Sequence, residues 1–422
     1  MNNTRIAIVS NRYINNDLRG SEEFPKQLFD ILKFDYTVDI LTSDIIDLQP
    51  LTSPLSHRIK RSQIKLDEFR NIYRFKTHPL ISSSSYIANK LLSCIRHEFG
   101  ENMGYFSDYL HVIGWGPLTS GISNHIAAAK YDLIHGSTFP STPSYFAFEA
   151  AKKYHIPYVY APYLHYRLSE FYSNELLKKM VRKSDAVIAR TDTEKRQLIL
   201  LGSNDKRVFV IPSMFNISIS DKFREDKIIA KEKLGLGGKF VILTVPHILK
   251  GGIQTLEAAA KLSDQLDGVC VVSIGNIKKN YKKTADLLLR KHKNLSKIDF
   301  GWVNTEVKYL IHSSADVFSM PSITDSFGLS YLDSWSCLTP VIAAKDTSAN
   351  DIVRHAIDGF LVEYGNVEEL TNYFKSLYQD SELSKYMGFK GYRKILEKFN
   401  PVKVKNQYIE AFEHAMQQPY RY

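Results

Sequence analysis

The residues best suited to chemistry lie in one stretch, Pro321-Ser-Ile-Thr-Asp-Ser-Phe-Gly-Leu-Ser-Tyr-Leu-Asp333. It follows the apolar run Asp316-Val-Phe-Ser-Met320, which reads as a strand, and the spacing predicts a helix opening near Phe327 or Gly328. A helix start leaves N–H groups unpaired and carries partial positive charge, so the amides of Ser326 to Leu329 form a cradle for a phosphate. Gly328 lets a ligand approach the backbone closely. Asp325 precedes the helix and Asp333 falls one to two turns into it. Ionised carboxylates accept strong hydrogen bonds, and the hydroxyls of a sugar donate them, so the pair suits hydroxyls flanking the anion. Taken alone, Asp325 also fits a helix cap and Asp333 a solvated helix position.

The elements around this stretch decide whether it forms a site. Ile6-Ala-Ile-Val9 reads as a buried parallel strand, Glu22 to Leu32 has helical spacing, and Tyr36 to Thr42 is a second strand, which together make a βαβ opening. Residues 49–130 predict helices and long loops without definite positions. Strands return at Tyr131–His135, Ile156–Tyr160, Ser184–Arg190 and Arg207–Ile211. A second alternating run starts at Lys239 and passes through Val269–Ile274, Ile298–Phe300, Asp316–Met320 and Pro340–Ala344. The expected fold class is α/β: two Rossmann-like doubly wound domains facing each other across a cleft. The expected boundaries are an amino-terminal domain over 1–215, a linker with one short helix over 216–236, and a carboxyl-terminal domain over 237–400. A helix over 401–422 would return to the first domain.

Composition excludes several classes. Of 422 residues, 44 % are hydrophobic and 24 % charged, with 21 Gly and 15 Pro, so the chain is neither disordered nor collagen-like. Its net charge of +10 favours anionic partners in general without choosing among them. Cys94, Cys270 and Cys337 lie far apart without metal-ligand spacing and read as reduced, buried thiols. No apolar run reaches a membrane-spanning length, and the start MNNTRIAIVSNRY lacks a signal peptide's pattern. A soluble, cytoplasmic protein is expected. Between Glu170 and Lys183, Phe171, Leu176, Leu177, Met180 and Val181 alternate with Lys and Arg. That pattern fits a helix packed on its own domain with a solvated basic face, with peripheral contact with an anionic membrane as the alternative. His135, at the end of a strand, reads as structural.

These motifs resemble those of retaining glycosyltransferases of the GT-B fold, family 4 (glycosyl transferases group 1). The family's signature is a pair of glutamates separated by seven residues, preceded by Pro-Ser and followed by Gly-x-Pro-Val. Here the two positions are Asp325 and Asp333, Pro321-Ser322 precedes them, and Leu338-Thr-Pro-Val341 follows with leucine in the glycine's place. Ser184-Asp-Ala-Val-Ile-Ala, Val210-Ile-Pro212 and Phe300-Gly-Trp-Val303 are also similar to the family. The resemblance implies that Asp325 holds donor-sugar hydroxyls and that the amides of Phe327, Gly328 and Leu329 contact the donor sugar and diphosphate. It implies that Asp333 binds the ribose and that Lys250 supplies a cation to the diphosphate. His247 falls near the family's arginine and His165 matches its histidine near the donor sugar. Gly20 lies where the family has a glycine-rich turn on the acceptor side.

The implied activity is retaining transfer of a hexose from a nucleotide-diphosphate sugar, a UDP- or GDP-sugar, to a glycan, glycolipid or lipid-linked acceptor. No Asp-x-Asp triplet occurs, so neither a metal nor any other cofactor is expected, and nucleic acid is not an expected partner. The loop after Val9 lacks Gly-x-Gly-x-x-Gly, which disfavours a dinucleotide oxidoreductase. The alternative is a degenerate, non-catalytic protein of the same fold that binds a sugar nucleotide or a partner protein.

Overall fold

The structure is a computed structural model of the chain, and it describes residues 4–13, 23–45, 64–67, 70–78, 87–88, 104–165 and 172–417. The chain divides into two compact units. One holds residues 1–164, 168–211 and 402–422, and the other holds 165–167 and 212–401.

In chain order the first unit contains β1 (Arg5–Val9), α1 (Phe24–Leu32), β2 (Thr37–Ser43), β3 (Ile64–Asp67), β4 (Arg70–Phe75), α2 (Gly104–Trp115) and α3 (Ile122–Ala129). It continues with β5 (Leu133–Ser137), α4 (Thr142–Lys153), β6 (Tyr158–Ala161), α5 (Glu175–Lys183), β7 (Ala186–Ala189), α6 (Asp192–Leu200) and β8 (Val208–Val210). The sheet order is β3-β4-β2-β1-β5-β6-β7-β8, and β3 alone runs antiparallel to its neighbour. Central strands such as Ile6–Val9 are fully buried because helices cover both faces, which is why they read as unbroken apolar runs. The pair β3 and β4 falls in the region expected to hold helices and loops. This outer pair lacks such a run, and in β4 Ile72 is the one buried side chain among the described residues.

Two sequence expectations on this unit are resolved by packing. Leu176, Leu177, Met180 and Val181 of α5 are buried in the unit's core, while Lys178 pairs with Glu175 at 2.6 Å and Lys179 with Glu149 at 2.8 Å. The apolar face is therefore used internally. His135 is completely buried against Phe24, and burial pushes its pKa down to about 3, so it is a neutral core residue.

A buried charged cluster fixes the chain that leads to residue 165. The Arg190 guanidinium lies 4.0 Å over the Phe24 ring and 4.6 Å over Tyr163, and it donates to the Tyr163 hydroxyl at 2.6 Å and the Ile211 carbonyl at 3.1 Å. Glu194 accepts from the backbone N–H of Arg190 at 2.6 Å and of Leu164 at 2.7 Å. Burial raises Glu194 to about 7 against those bonds.

The second unit begins with α7 (Ile217–Phe223) and α8 (Lys227–Lys233), so the segment expected to be a linker with one helix holds two and counts with this unit. Then come β9 (Phe240–Thr244), α9 (Gly252–Ser263), β10 (Val269–Ile274), α10 (Lys279–Lys291), β11 (Ser296–Gly301), α11 (Thr305–Ser314) and β12 (Val317–Met320). After these follow α12 (Leu329–Ser336), β13 (Val341–Ala344), β14 (Gly359–Val362), α13 (Val367–Gln379) and α14 (Ser381–Lys398). The last helix, α15 (Pro401–Gln417), counts from Val402 with the first unit, where Tyr408 packs on Phe24 and Phe412 on Tyr36.

The second sheet is wholly parallel, in the order β11-β10-β9-β12-β13-β14. The chain works outward from β9 on one side and then restarts at β12 on the other. Ligands of such sheets bind outside the carboxyl ends of the strands where the order reverses, here β9 and β12. Those two ends are tied together: the Thr244 hydroxyl donates to the Ser319 carbonyl at 2.8 Å, and the Thr255 and Ser319 hydroxyls share a hydrogen bond of 2.8 Å.

Helix α12 is braced from behind. Trp335 is fully buried and donates its indole N–H to the Asp358 carbonyl at 2.8 Å. The Asp358 carboxylate accepts the Arg354 backbone N–H at 2.8 Å and Nε at 2.7 Å, and it pairs with Lys394 of α14 at 2.5 Å. Lys394 also donates to the Ile352 carbonyl at 2.6 Å and lies 4.8 Å over the indole. Gly391 makes the fit possible, because a Cβ there would stand 2.0 Å from the indole. Cys270 and Cys337 are buried free thiols, and Cys94 lies outside the described residues.

Candidate functional site

The carboxyl ends of β9 and β12 each lead into a short turn and then a helix. After β9 the chain passes His247, makes a 3-10 turn over Ile248–Lys250 and enters α9 through Gly251, whose φ is +76°. After β12 it passes Thr324 and Asp325 and enters α12 through Gly328, with φ +87°. That backbone conformation is strained for any residue with a side chain. A Cβ on Gly251 would also lie 2.4 Å from Pro321, which shows how closely the two turns pack. They are joined by a hydrogen bond from the Ile323 N–H to the Leu249 carbonyl at 3.1 Å.

Neither helix start is capped by a side chain, and α10, which follows β10 on the other side of β9, is also uncapped. In the same unit α7, α8, α11, α13 and α14 all carry an Asn or Asp cap. The two helices that start at the strand-order reversal, α9 and α12, therefore keep amide donors and partial positive charge unassigned to any side chain, as an anion site requires.

Two ion pairs stand here. Lys250 Nζ meets Asp325 Oδ1 at 3.0 Å, and Lys308 Nζ meets Asp333 Oδ1 at 2.7 Å. The Tyr309 hydroxyl donates to the same Asp333 oxygen at 3.1 Å. Burial alone would raise both carboxyls. Lys250, with smaller help from Ser322 and His165, instead brings Asp325 below the ordinary carboxylate range, and Lys308 does the same for Asp333. Both are anionic at neutral pH. Among the described residues Asp325 Oδ2 is buried and has no hydrogen-bond partner, and every hydrogen bond to the Asp333 carboxylate falls on Oδ1. The Asp325 backbone is held from a third direction, by the Ser348 hydroxyl donating to its carbonyl at 2.6 Å.

The residues singled out from sequence are thus partly gathered. His165 places Nδ1 against the Thr324 carbonyl, one residue before Asp325, and so donates a hydrogen from that nitrogen. His247 is pushed below the ordinary histidine range by burial and by the Lys278 and Lys250 charges, so it is neutral and supplies no second cation. Its Nδ1 is buried with no hydrogen-bond partner among the described residues. The Phe327 side chain turns inward against Phe399, with ring centroids 5.5 Å apart. Gly328 and Leu329 form the helix start as expected. Gly20 lies outside the described residues. Lys308, Tyr309 and Ser348 were not singled out, and no local motif marks them. The signal that places Lys308 beside Asp333 is strand order, which brings α11 alongside α12.

Where the family signature has glycine, Leu338 adopts φ +59°, a left-handed conformation that explains the glycine preference. Among the described residues no three His, Cys, Asp or Glu side chains converge as metal ligands, and no helix is long and apolar enough to cross a membrane.

This arrangement has counterparts. The Anabaena protein HepE, solved with UDP and glucose, superposes with a TM-score of 0.70 at 17 % identity, covering 97 % of this chain and 99 % of that one. Sucrose-phosphate synthase from Thermosynechococcus elongatus gives a TM-score of 0.69 at 17 % identity, covering 97 % of this chain and 98 % of that one. These likenesses define the class by architecture: two Rossmann-like units of the GT-B fold. The family model described as Glycosyl transferases group 1 matches residues 226–394, and the one described as Glycosyltransferase Family 4 matches 103–218, so the chain belongs to the family 4, group 1 glycosyltransferases. Among curated relatives, the sulfoquinovosyl transferase of Arabidopsis thaliana is 25 % identical over 70 % of this chain and 59 % of its own. The D-inositol 3-phosphate glycosyltransferase of Geodermatophilus obscurus is 31 % identical over 44 % of each. The chain thus spans about half the length of the curated relatives it matches.

Proposed function

We propose that the protein transfers a hexose from a nucleotide-diphosphate sugar to a glycan, glycolipid or lipid-linked acceptor, with retention at the anomeric carbon and without a metal. The observation that carries this reading is the pair of ionised carboxylates, each holding back an oxygen from hydrogen bonding, beside uncapped helix starts at the strand-order reversal. Lys250 and the amides at the start of α12 meet the negative charge that grows on the diphosphate as the sugar–oxygen bond breaks. The unpartnered oxygen of Asp325 accepts hydroxyls of the donor sugar, and Asp333 accepts those of the ribose, its other oxygen fixed by Lys308 and Tyr309. His165 lies close to the transferred sugar. The solved neighbours that hold UDP and UDP-glucose support a uridine or related nucleotide donor. Buried, unpaired thiols suit a reducing cytoplasm, where peripheral membrane contact would bring the protein to a lipid-linked acceptor.

The test is release of free nucleotide from a panel of UDP- and GDP-sugars, with and without EDTA. Turnover that survives EDTA and falls about a hundredfold or more in Asp325→Asn supports the reading. The second reading, a non-catalytic sugar-nucleotide binder, draws on the same ion pairs, since both carboxylates already have cation partners. Tight binding without turnover across acceptors would establish it.

A further inference from the structure

We infer that the outer face of α10 docks the protein on an anionic lipid surface. Between Lys278 and Lys293 the chain carries seven Lys and Arg and a single acid, Asp286, a local surplus of six within a whole-chain net charge of +10. All seven cations are exposed, and among the described residues none makes an ion pair. Elsewhere in the unit, lysines of α8, α9 and α14 are matched to acids, as in Lys231–Asp316, Lys261–Glu368 and Lys385–Glu382.

The helix has one buried face and one exposed, mostly basic face. Tyr281 and Ala285 are buried against the unit. Lys279, Lys283 and Arg290 follow one another at spacings of four and seven, which aligns them on the opposite face, together with Asp286, the helix's one acid. Leu287 lies on that outer side, between Lys283 and Arg290 in the chain, and is 59 % exposed. An apolar side chain set among unpaired cations is the arrangement by which an interfacial helix holds a bilayer: charge meets the headgroups while the aliphatic group enters the acyl boundary. The face has no exposed aromatic side chain, since the helix's one aromatic, Tyr281, is buried, so it lacks the stacking surface that single-stranded nucleic acid needs.

The contrast with α5 locates the contact. That helix reads as amphipathic and basic in sequence, but its apolar face is buried and two of its lysines are paired. Helix α10 also opens at the carboxyl edge of the second sheet, where the Lys278 charge reaches His247 of the candidate site. Docking there would set that edge near the lipid surface. The inference rests on charge and exposure and stands whether or not the protein transfers a sugar.

The experiment is co-sedimentation of the full chain with vesicles of phosphatidylcholine alone or with one-third phosphatidylglycerol. Wild-type protein is expected to pellet with the anionic vesicles only, and less as salt rises. Each cation near such a surface contributes about 1 kcal/mol, so the triple variant K279E/K283E/R290E should lose about a hundredfold or more in affinity. K178E/K183E on α5 should bind as wild type does. Melting curves establish that both variants fold. Absence of wild-type binding to anionic vesicles, or undiminished binding by the α10 variant, overturns the inference. So does retention on an oligonucleotide or heparin without vesicle binding. Nucleotide release, measured separately, reports on the enzymatic reading and not on this one.

Discussion

The two sides of α12 show two ways of burying a carboxylate. Behind the helix, both Asp358 oxygens accept hydrogen bonds, its carbonyl takes the Trp335 indole, and Lys394 has further partners of its own. In front, Asp325 and Asp333 each have one oxygen engaged, and the lysines facing them are about one-third exposed. A charge in a fully satisfied cluster does structural work. A charge left half-satisfied costs stability in the free protein, and such sites are kept where a ligand completes them. The same difference separates the capped helices of this unit from the bare starts of α9 and α12.

Removing charge from each side should therefore produce different losses. The largest is expected behind the helix. Asp358→Ala strands the buried Lys394 ammonium and should cost about 3–5 kcal/mol in a denaturant titration. Adding Lys394→Met should restore much of that, and a double variant no more stable than the single would break the comparison. In front, Asp325→Asn should reduce turnover with little change in melting temperature. Under the proposed role at the ribose, Asp333→Asn is expected to act more gently, raising the donor KM about tenfold with kcat nearly intact, because such a contact would be made equally in ground and transition states. A fall in kcat as large as that of Asp325→Asn would place Asp333 at the reacting sugar instead. The smallest effect is expected at the end of the helix. Leu338→Gly relieves the left-handed strain and should raise stability by about 1 kcal/mol or less, after the entropy a glycine loses on folding. No change in kcat should accompany it.

Much of this site could be read from sequence because its residues sit on strand ends and helix starts, where local chemistry is decisive. The apolar runs at Ile6, Phe240 and Val317 predict parallel strands since both sheet faces are covered. The spacing of Asp325, Gly328 and Asp333 predicts a helix start flanked by carboxylates, and the structure puts them there. Lys308 and Ser348 were not readable, because each reaches the site only through the order of the strands, a long-range property. The edge pair β3 and β4 was missed because its stretch has no continuous apolar run and its one described buried side chain, Ile72, is no period. For α5 the periodicity was plain, but amphipathicity says only that a face must be covered, and here the protein's own core covers it.

The fit at Gly391 has a consequence for how helix α12 can vary. The seat of the Trp335 indole is shaped by a hydrogen atom where every other amino acid has a carbon. A single added methyl, carrying no charge, would push the ring outward and tilt the helix two residues from Asp333. The alignment of this half of the molecule is held as firmly by an atom that is missing as by the ions around it.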